Sequence, residues 1–301
     1  MRAIEPIAWA ALVAAGIAVY LGGSVYAVGV AFSLCTAVAL TQSWALFSAL
    51  TGYVSLGAVV FYGLGAYVTV LMFGETPLLL VLAVAALAAG GFAFLIGWPV
   101  LRVRGPYFVI LSFGLAELVK NLVMLNEDRL GQFSRMMFAA PDLGTLYLLM
   151  LGCAIAATLV AWLVRRGRFG DGLRAIRENE EAAETLGVPV TRLKIAAFVL
   201  SAIIPGVVGG LATLRTGYFE PSTVFDPTIS LSVVTMALVG GGDDTRGPVL
   251  GALFFLLLSE VLWARLPQLY VIVLGVMLIA FVLFLPRGIA GLLPKAGGRA
   301  T

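Results

Sequence analysis

Pro77-Leu-Leu-Leu-Val-Leu-Ala-Val-Ala-Ala-Leu-Ala-Ala-Gly-Gly-Phe-Ala-Phe-Leu-Ile-Gly-Trp-Pro-Val-Leu101 contains no charged side chain. A helix needs about 20 mostly apolar residues to cross a hydrocarbon core about 30 Å thick. Within lipid, backbone groups must bond inside their own segment, so a run of this length reads as a transmembrane helix. The pattern recurs along the chain. Further runs lie at Ile7–Leu21, Val25–Ala49, Tyr53–Phe73, Pro106–Leu125, Thr145–Val164, Leu193–Leu214, Ile229–Val239, Val249–Trp263 and Leu269–Leu285. Ile229–Val239 is too short to span as a regular helix unless Gly240–Gly242 completes it. The expected fold is all-α, a polytopic transmembrane helical bundle of about ten spans, some of them discontinuous.

Composition agrees. The apolar residues make up 61% of the 301 and the charged residues 12%. A soluble domain carries about 25% charged residues to cover its surface. Disorder, collagen and coiled coil are excluded by the same figures. The two cysteines, Cys35 and Cys153, sit far apart in apolar runs and form no CxxC pair, which argues against a disulfide scaffold or zinc ribbon. The absence of histidine removes Ser-His-Asp and Cys-His catalysis and His-ligated metal sites. No catalytic residue, cofactor or metal site is expected. A net charge of +3 suggests a basic cytoplasmic face, not a nucleic-acid binder.

The first run, preceded by Arg2, resembles a signal peptide, with Ser24–Ala27 as its small-residue site. A second apolar run follows at once, so an uncleaved first span is the expectation. Orientation follows from Lys and Arg in short loops. With residues 165–194 cytoplasmic, alternation places Arg2, Arg102, Arg104, Arg246, Arg287, Lys295 and Arg299 on the same side. The opposite side holds only Arg129, Arg135, Arg215 and Arg265. This bias supports both termini in the cytoplasm. No linker is visible, so residues 1–301 are expected to form one transmembrane domain with a cytoplasmic loop at 165–192.

Glu117 and Lys120 lie inside an apolar run, three residues apart on one helix face. They read as an intrahelical ion pair or as a pathway feature. Ion-coupled transporters need carboxylates or bases deep in their spans, and this chain is poor in them. Their scarcity points to uncharged or zwitterionic cargo driven from outside the chain. Glycine punctuates Gly52–Tyr67 and the run ending in Gly240-Gly-Gly-Asp-Asp-Thr-Arg-Gly-Pro248. Glycine-broken spans point to a transport pathway, and glycine also serves close helix packing. Candidate pathway residues are Ser55, Gly57, Gly63, Gly65, Gly240 and Gly241. Asp243-Asp244 could bind magnesium and a diphosphate, but a second acidic cluster is missing and a solvated turn fits better.

Between Arg165 and Arg192, apolar residues recur at Leu173, Ile176, Ala183 and Leu186 among Glu and Arg. One or two short amphipathic helices fit, ended by Gly187 and Pro189. Arg177 and Glu181, four apart, could pair on one face. Such a loop either merely satisfies topology or docks on a soluble partner. No G-x-x-x-x-G-K-[ST] phosphate loop occurs, so ATP hydrolysis by that route is excluded.

Glu181-Ala-Ala-Glu-Thr-Leu-Gly187 matches the EAA-three-residues-Gly element of bacterial ABC importer permeases. With Gly52–Tyr67, Arg102-Val-Arg-Gly-Pro-Tyr-Phe108, Phe169–Gly187 and Val239–Gly251, it resembles the LivM-type permeases of branched-chain amino acid importers over roughly residues 40–290. The resemblance implies a non-enzymatic permease of the bacterial inner membrane. Its implied partners are a second, LivH-like permease, two cytoplasmic ATPases and a periplasmic or lipid-anchored solute-binding protein. The ATPase-coupling residues it implies are Arg174, Arg177, Glu181, Ala182, Ala183 and Gly187. The turn Gly241-Gly-Asp-Asp-Thr-Arg-Gly247 is more acidic than the family pattern, which bears on cargo. The alternatives are a sibling importer subunit for urea, short amides or sugars, an ion-coupled secondary transporter, and a diphosphate-handling membrane enzyme.

Overall fold

The computed structural model describes residues 16–18, 20, 22–132, 134–137, 140–242, 244–265, 275–276 and 288–292. Most of the expected first and last spans, Ile7–Leu21 and Leu269–Leu285, lies outside these residues. So do Arg2, Asp243, Arg287, Lys295, Arg299 and both termini.

The helices are α1 (Val25–Trp44, continued by a π-helical turn at Ala45–Ala49), α2 (Ala58–Met72), α3 (Leu78–Val100), α4 (Pro106–Arg129) and α5 (Leu143–Arg166). There follow α6 (Arg168–Glu178), α7 (Glu180–Thr185), α8 (Val190–Thr216), α9 (Pro221–Val224), α10 (Pro227–Gly240) and α11 (Arg246–Arg265). Two short strands, β1 (Arg135–Met136) and β2 (Tyr218–Phe219), pair antiparallel with Arg135 opposite Phe219. Polar side chains begin several helices: Ser24, Asp142, Asn179 and Asp226 each accept a backbone N–H of the first turn.

Among the described residues, six segments are long and apolar enough to cross a membrane. They are Val25–Ala49, Leu78–Val100, Pro106–Arg129, Leu143–Arg166, Val190–Thr216 and Pro221–Gly240. The expected span Tyr53–Phe73 is corrected: helix begins only at Ala58, and residues 53–57 are non-helical. The second short run is Pro227–Gly240, preceded by the single turn α9. At 1.5 Å per residue, α2 and α10 each rise only about 21–23 Å, short of the hydrocarbon thickness.

The two ends of the bundle are distinct. β1 and β2 tie the α4–α5 connection to the end of α8. At the other end, α6 and α7 meet the end of α1 and the α3–α4 turn. Helix directions follow. α1 runs toward the α6–α7 end and α2 runs away from it, while α8 and α10 run in the reverse order. Each pair is joined by interrupted backbone, non-helical at 52–57 in the first and holding only β2 and the single turn α9 over 217–226 in the second. This is the antiparallel correspondence expected of inverted structural repeats.

α8 is the centre of the core. Its backbone lies against α2 on one side and α3 on the other. A Cβ on Gly209 would stand 2.0 Å from the Tyr62 carbonyl oxygen, and one on Gly206 would stand 2.6 Å from Ala89 Cβ. Small residues permit this approach, which gains dispersion contact without a hydrophobic driving force between spans. Pro205, inside α8, leaves the Ser201 carbonyl without its helical donor. The Ser43 hydroxyl donates to that carbonyl.

Candidate functional site

The 165–192 loop folds as two helices with a break between them. Asn179 takes extended backbone, φ −159° and ψ 110°, and its side chain accepts from Ala182 N at 3.0 Å. α7 ends in a Schellman arrangement. Val188 N donates to Ala183 O and Gly187 N to Glu184 O, each at 3.0 Å, with Gly187 at φ +84°. Leu173, Ile176 and Ala183 are buried against the bundle. Ala182 and Leu186 face outward, Leu186 with 83% exposure. The expected Arg177–Glu181 pairing is corrected, because the break at Asn179 removes the common helix face. Arg177 Nη1 instead donates to Ala49 O at 2.9 Å, at the end of α1. Arg174 pairs with Asp171 at 3.0 Å and donates to Arg165 O at 2.8 Å.

Glu180, the first residue of α7, anchors this loop. Lys194 Nζ, 4% exposed as a residue, donates to Glu180 Oε1 at 2.7 Å, Leu101 O at 3.1 Å and Tyr53 Oη at 3.2 Å. Tyr53 Oη donates to Glu180 Oε2 at 2.6 Å. Arg104 reaches Glu180 at 3.3 Å and Glu181 at 3.5 Å. Burial opposes ionisation of Glu180, yet Lys194, Tyr53 and Arg104 together hold its carboxyl below the ordinary range. Burial, then Glu180 itself, pushes the Tyr53 phenol up. Four pieces of chain therefore meet in one knot: α7, the start of α8, the α3–α4 turn and the broken segment before α2. The sequence reading missed it. Lys194 and Glu180 lie in different helices, and no periodicity relates them.

The broken segment is held by hydroxyls. Ser55 N donates to Ser48 Oγ at 3.2 Å, Leu56 N to Ser112 Oγ at 3.0 Å and Gly57 N to Ser55 Oγ at 3.1 Å. Trp44 Nε1 donates to Ser55 O at 2.8 Å. Non-helical backbone at membrane depth is tolerated only when buried in protein in this way. The start of α2 meets the start of α10 directly, with Val59 N donating to Ser230 Oγ at 3.0 Å.

The candidate pathway residues divide. Ser55 borders a cavity of about 20 Å³ between α1, α2 and α8, near the size that holds one water. Gly57 lies beside it at the cap of α2. Gly63 and Gly65 sit in helix contacts, where a Cβ would meet the Phe225 ring at 2.2 Å and Gly206 O at 1.8 Å. Gly240 packs on Gly247, and Gly241, at φ +91°, ends α10. Asp244 accepts from Thr245 N at 2.7 Å in the following turn, and Asp243 lies outside the described residues. Glu117 and Lys120 do pair, at 2.9 Å. Among the described residues no cluster of three metal-ligating side chains occurs.

Toward the β1–β2 end, a cavity of about 730 Å³ opens between α1, α8, α10 and α11. At the same end Arg135 binds Glu127 by two hydrogen bonds, 2.7 and 3.0 Å, and Tyr67 donates to Glu127 at 2.9 Å.

The family profile described as branched-chain amino acid transport system / permease component matches residues 24–282. The chain is 28% identical over 275 residues to the high-affinity branched-chain amino acid transport system permease protein LivM of Escherichia coli (strain K12), covering 80% of this chain and 64% of that protein. It is 29% identical over 152 residues to the probable branched-chain amino acid transport permease protein LivH of Methanocaldococcus jannaschii, covering 50% of this chain and 44% of that protein. It is 30% identical over 136 residues to the L-arabinose ABC transporter permease protein AraH of Azospirillum brasilense, covering 44% of this chain and 38% of that protein. The chain thus spans about 64% of the length of the LivM relative. No solved structure matches it. The profile runs from the first turn of α1 past the end of α11, across both broken spans and the anchored α6–α7 loop. The chain belongs to the branched-chain amino acid transport system permease family.

Proposed function

We propose that this chain is the membrane-spanning permease subunit of an ATP-driven importer for branched-chain or related amino acids. It works with a LivH-like second permease, two cytoplasmic ATPase subunits and an external solute-binding protein. The observation that carries this reading is the anchored α6–α7 loop. Ala182 and Leu186 are exposed on it, while Glu180 ties its rear to the broken segment before α2. A pull on the loop therefore reaches residues at membrane depth. Arg174, Arg177, Glu181, Ala182, Ala183 and Gly187 shape or border that surface, and the chain carries no phosphate loop of its own.

Two variants test the docking. Gly187→Val places a β-branched residue at φ +84°, and Ala182→Trp puts bulk on the exposed face. Both lie outside the spans, so permease abundance should stay near wild type. ATPase co-purification and binding-protein-stimulated ATP hydrolysis should fall several-fold. Wild-type assembly and hydrolysis in both variants would reduce the segment to a topological loop.

In this reading the chain crosses the inner membrane about ten times, with residues 165–192 and both termini in the cytoplasm. A membrane-impermeant thiol reagent applied from outside should label a cysteine placed at Gln132 and spare one at Asn179. The reverse pattern would overturn the orientation. A second reading, a sugar permease, is favoured by the likeness to the arabinose permease. The solute carried by the partner binding protein separates the two.

A further inference from the structure

We infer that the cavity between α1, α8, α10 and α11 is a resting place for a zwitterionic amino acid, with Arg215 facing its carboxylate and Asp226 its ammonium. This rests on the importer reading above and adds the residues that would receive the cargo.

The cavity, about 730 Å³, lies within the range of small-molecule sites. It opens at Tyr218 and Arg215 and reaches down to Met236 and Leu40. From Phe32 to Leu40 along α1 is about 12 Å of helix rise, so the cavity enters the outer half of the bundle. Its lining mixes apolar side chains with the hydroxyls of Ser33, Thr36, Thr213 and Ser232, one cation and one carboxylate. An apolar side chain with two opposite charges on one carbon matches that mixture.

Several charges near the spans are matched by an opposite charge. Glu117 pairs with Lys120, Glu127 with Arg135 and Glu180 with Lys194. Arg215 and Asp226 form no ion pair among the described residues. Arg215 Nη1 donates to the Ser33 hydroxyl at 2.9 Å, and its guanidinium lies 4.6 Å from the Phe32 ring centre. That leaves most of its five donors unspent. Asp226 spends Oδ1 on Thr228 N at 2.8 Å, capping α10, and Oδ2 has no hydrogen-bond partner among the described residues. Arg215 is exposed and Asp226 half-buried at the cavity wall, so both charges are open to a ligand there. A zwitterion answers both charges at once, whereas a sugar answers neither. Asp226 also begins the short helix α10, where an interrupted span brings backbone and cap to the cavity.

The test uses proteoliposomes of the complete importer with its cognate binding protein, with leucine as probe. Leucine uptake per ATP hydrolysed is the readout, because misfolding or lost docking lowers both quantities together. Asp226→Asn keeps the helix cap and removes only the charge. Arg215→Gln removes the other charge, and Arg215→Lys retains it. Each charge-removing variant should lower uptake per ATP about tenfold or more, the scale of one lost charged hydrogen bond. Arg215→Lys should recover most of the loss. Unchanged uptake per ATP in both charge-removing variants would overturn the cavity assignment and leave the importer reading standing. A defect confined to vesicles containing phosphatidylethanolamine, absent in phosphatidylglycerol vesicles, would assign the cavity to a lipid headgroup and equally overturn it. A wild-type complex that takes up no branched-chain amino acid would sink the importer reading and this inference with it.

Discussion

Gly65→Val should leave little folded protein in the membrane. A Cβ at this position would lie 1.8 Å from Gly206 O and 2.5 Å from Gly206 C. Both are backbone atoms, so no rotamer change can relieve the overlap. α2 would have to move off α8, opening the Gly209–Tyr62 contact that shares the seam. Ordinary overpacking costs about 1–3 kcal/mol. A backbone collision between two buried helices belongs to the tail beyond about 4 kcal/mol. Gly91→Ala is the matched control, since nothing lies within 4 Å of a Cβ there. Yield and monodispersity in detergent should collapse for the first variant and hold for the second. A Gly65→Val protein that folds normally but no longer transports would instead make this residue part of the pathway.

Lys194→Met should destabilise the α6–α7 end of the bundle and uncouple the loop. The substitution removes three donated bonds, at 2.7, 3.1 and 3.2 Å, from a side chain 5% exposed. It leaves the Glu180 carboxylate, 14% exposed, without its nearest cation. Breaking one partner of a buried pair costs about 3–5 kcal/mol, and Arg104, still 3.3 Å from Glu180, brings the expectation toward the lower figure. Adding Glu180→Gln should recover much of the melting temperature, because the stranded charge goes with it. It should not recover ATPase stimulation, because the Lys194 link from α8 to α7 and Tyr53 stays cut. Full coupling in the double variant would remove the knot from the transmission path. The same knot sets an acid limit. The Glu180 carboxyl is held below its ordinary value of 4.5, so its contribution is complete above that value. It is lost as pH falls through the lower folded value.

Much of the α6–α7 loop was legible. Leu173, Ile176 and Ala183 mark the buried face at helical spacing, and Gly187 is the stop. Arg177 and Glu181 misled because spacing alone cannot show a break. The signal was present in Asn179, a capping residue followed by Glu180 and Glu181 at a helix start. The glycines of Gly52–Tyr67 were legible as important but not in their roles. Gly63 and Gly65 face helix neighbours, while Gly57 ends the broken segment.

The sequence by itself determined a multi-span helical membrane protein with an amphipathic helical loop and no phosphate loop. Those properties depend on run length, charge content and local spacing, all carried by neighbouring residues. Tertiary structure alone decided where α2 begins. Residues 53–57 stay unwound because hydroxyls from Ser112 and Ser230, far along the chain, satisfy Leu56 N and Val59 N. It also decided that Glu180 would meet Lys194 and that Arg215 and Asp226 would share a rim. Each of these is a meeting of side chains on separate helices. Burial makes an unpaired charge or amide expensive only once the helices have packed, and no local pattern records which partner will arrive.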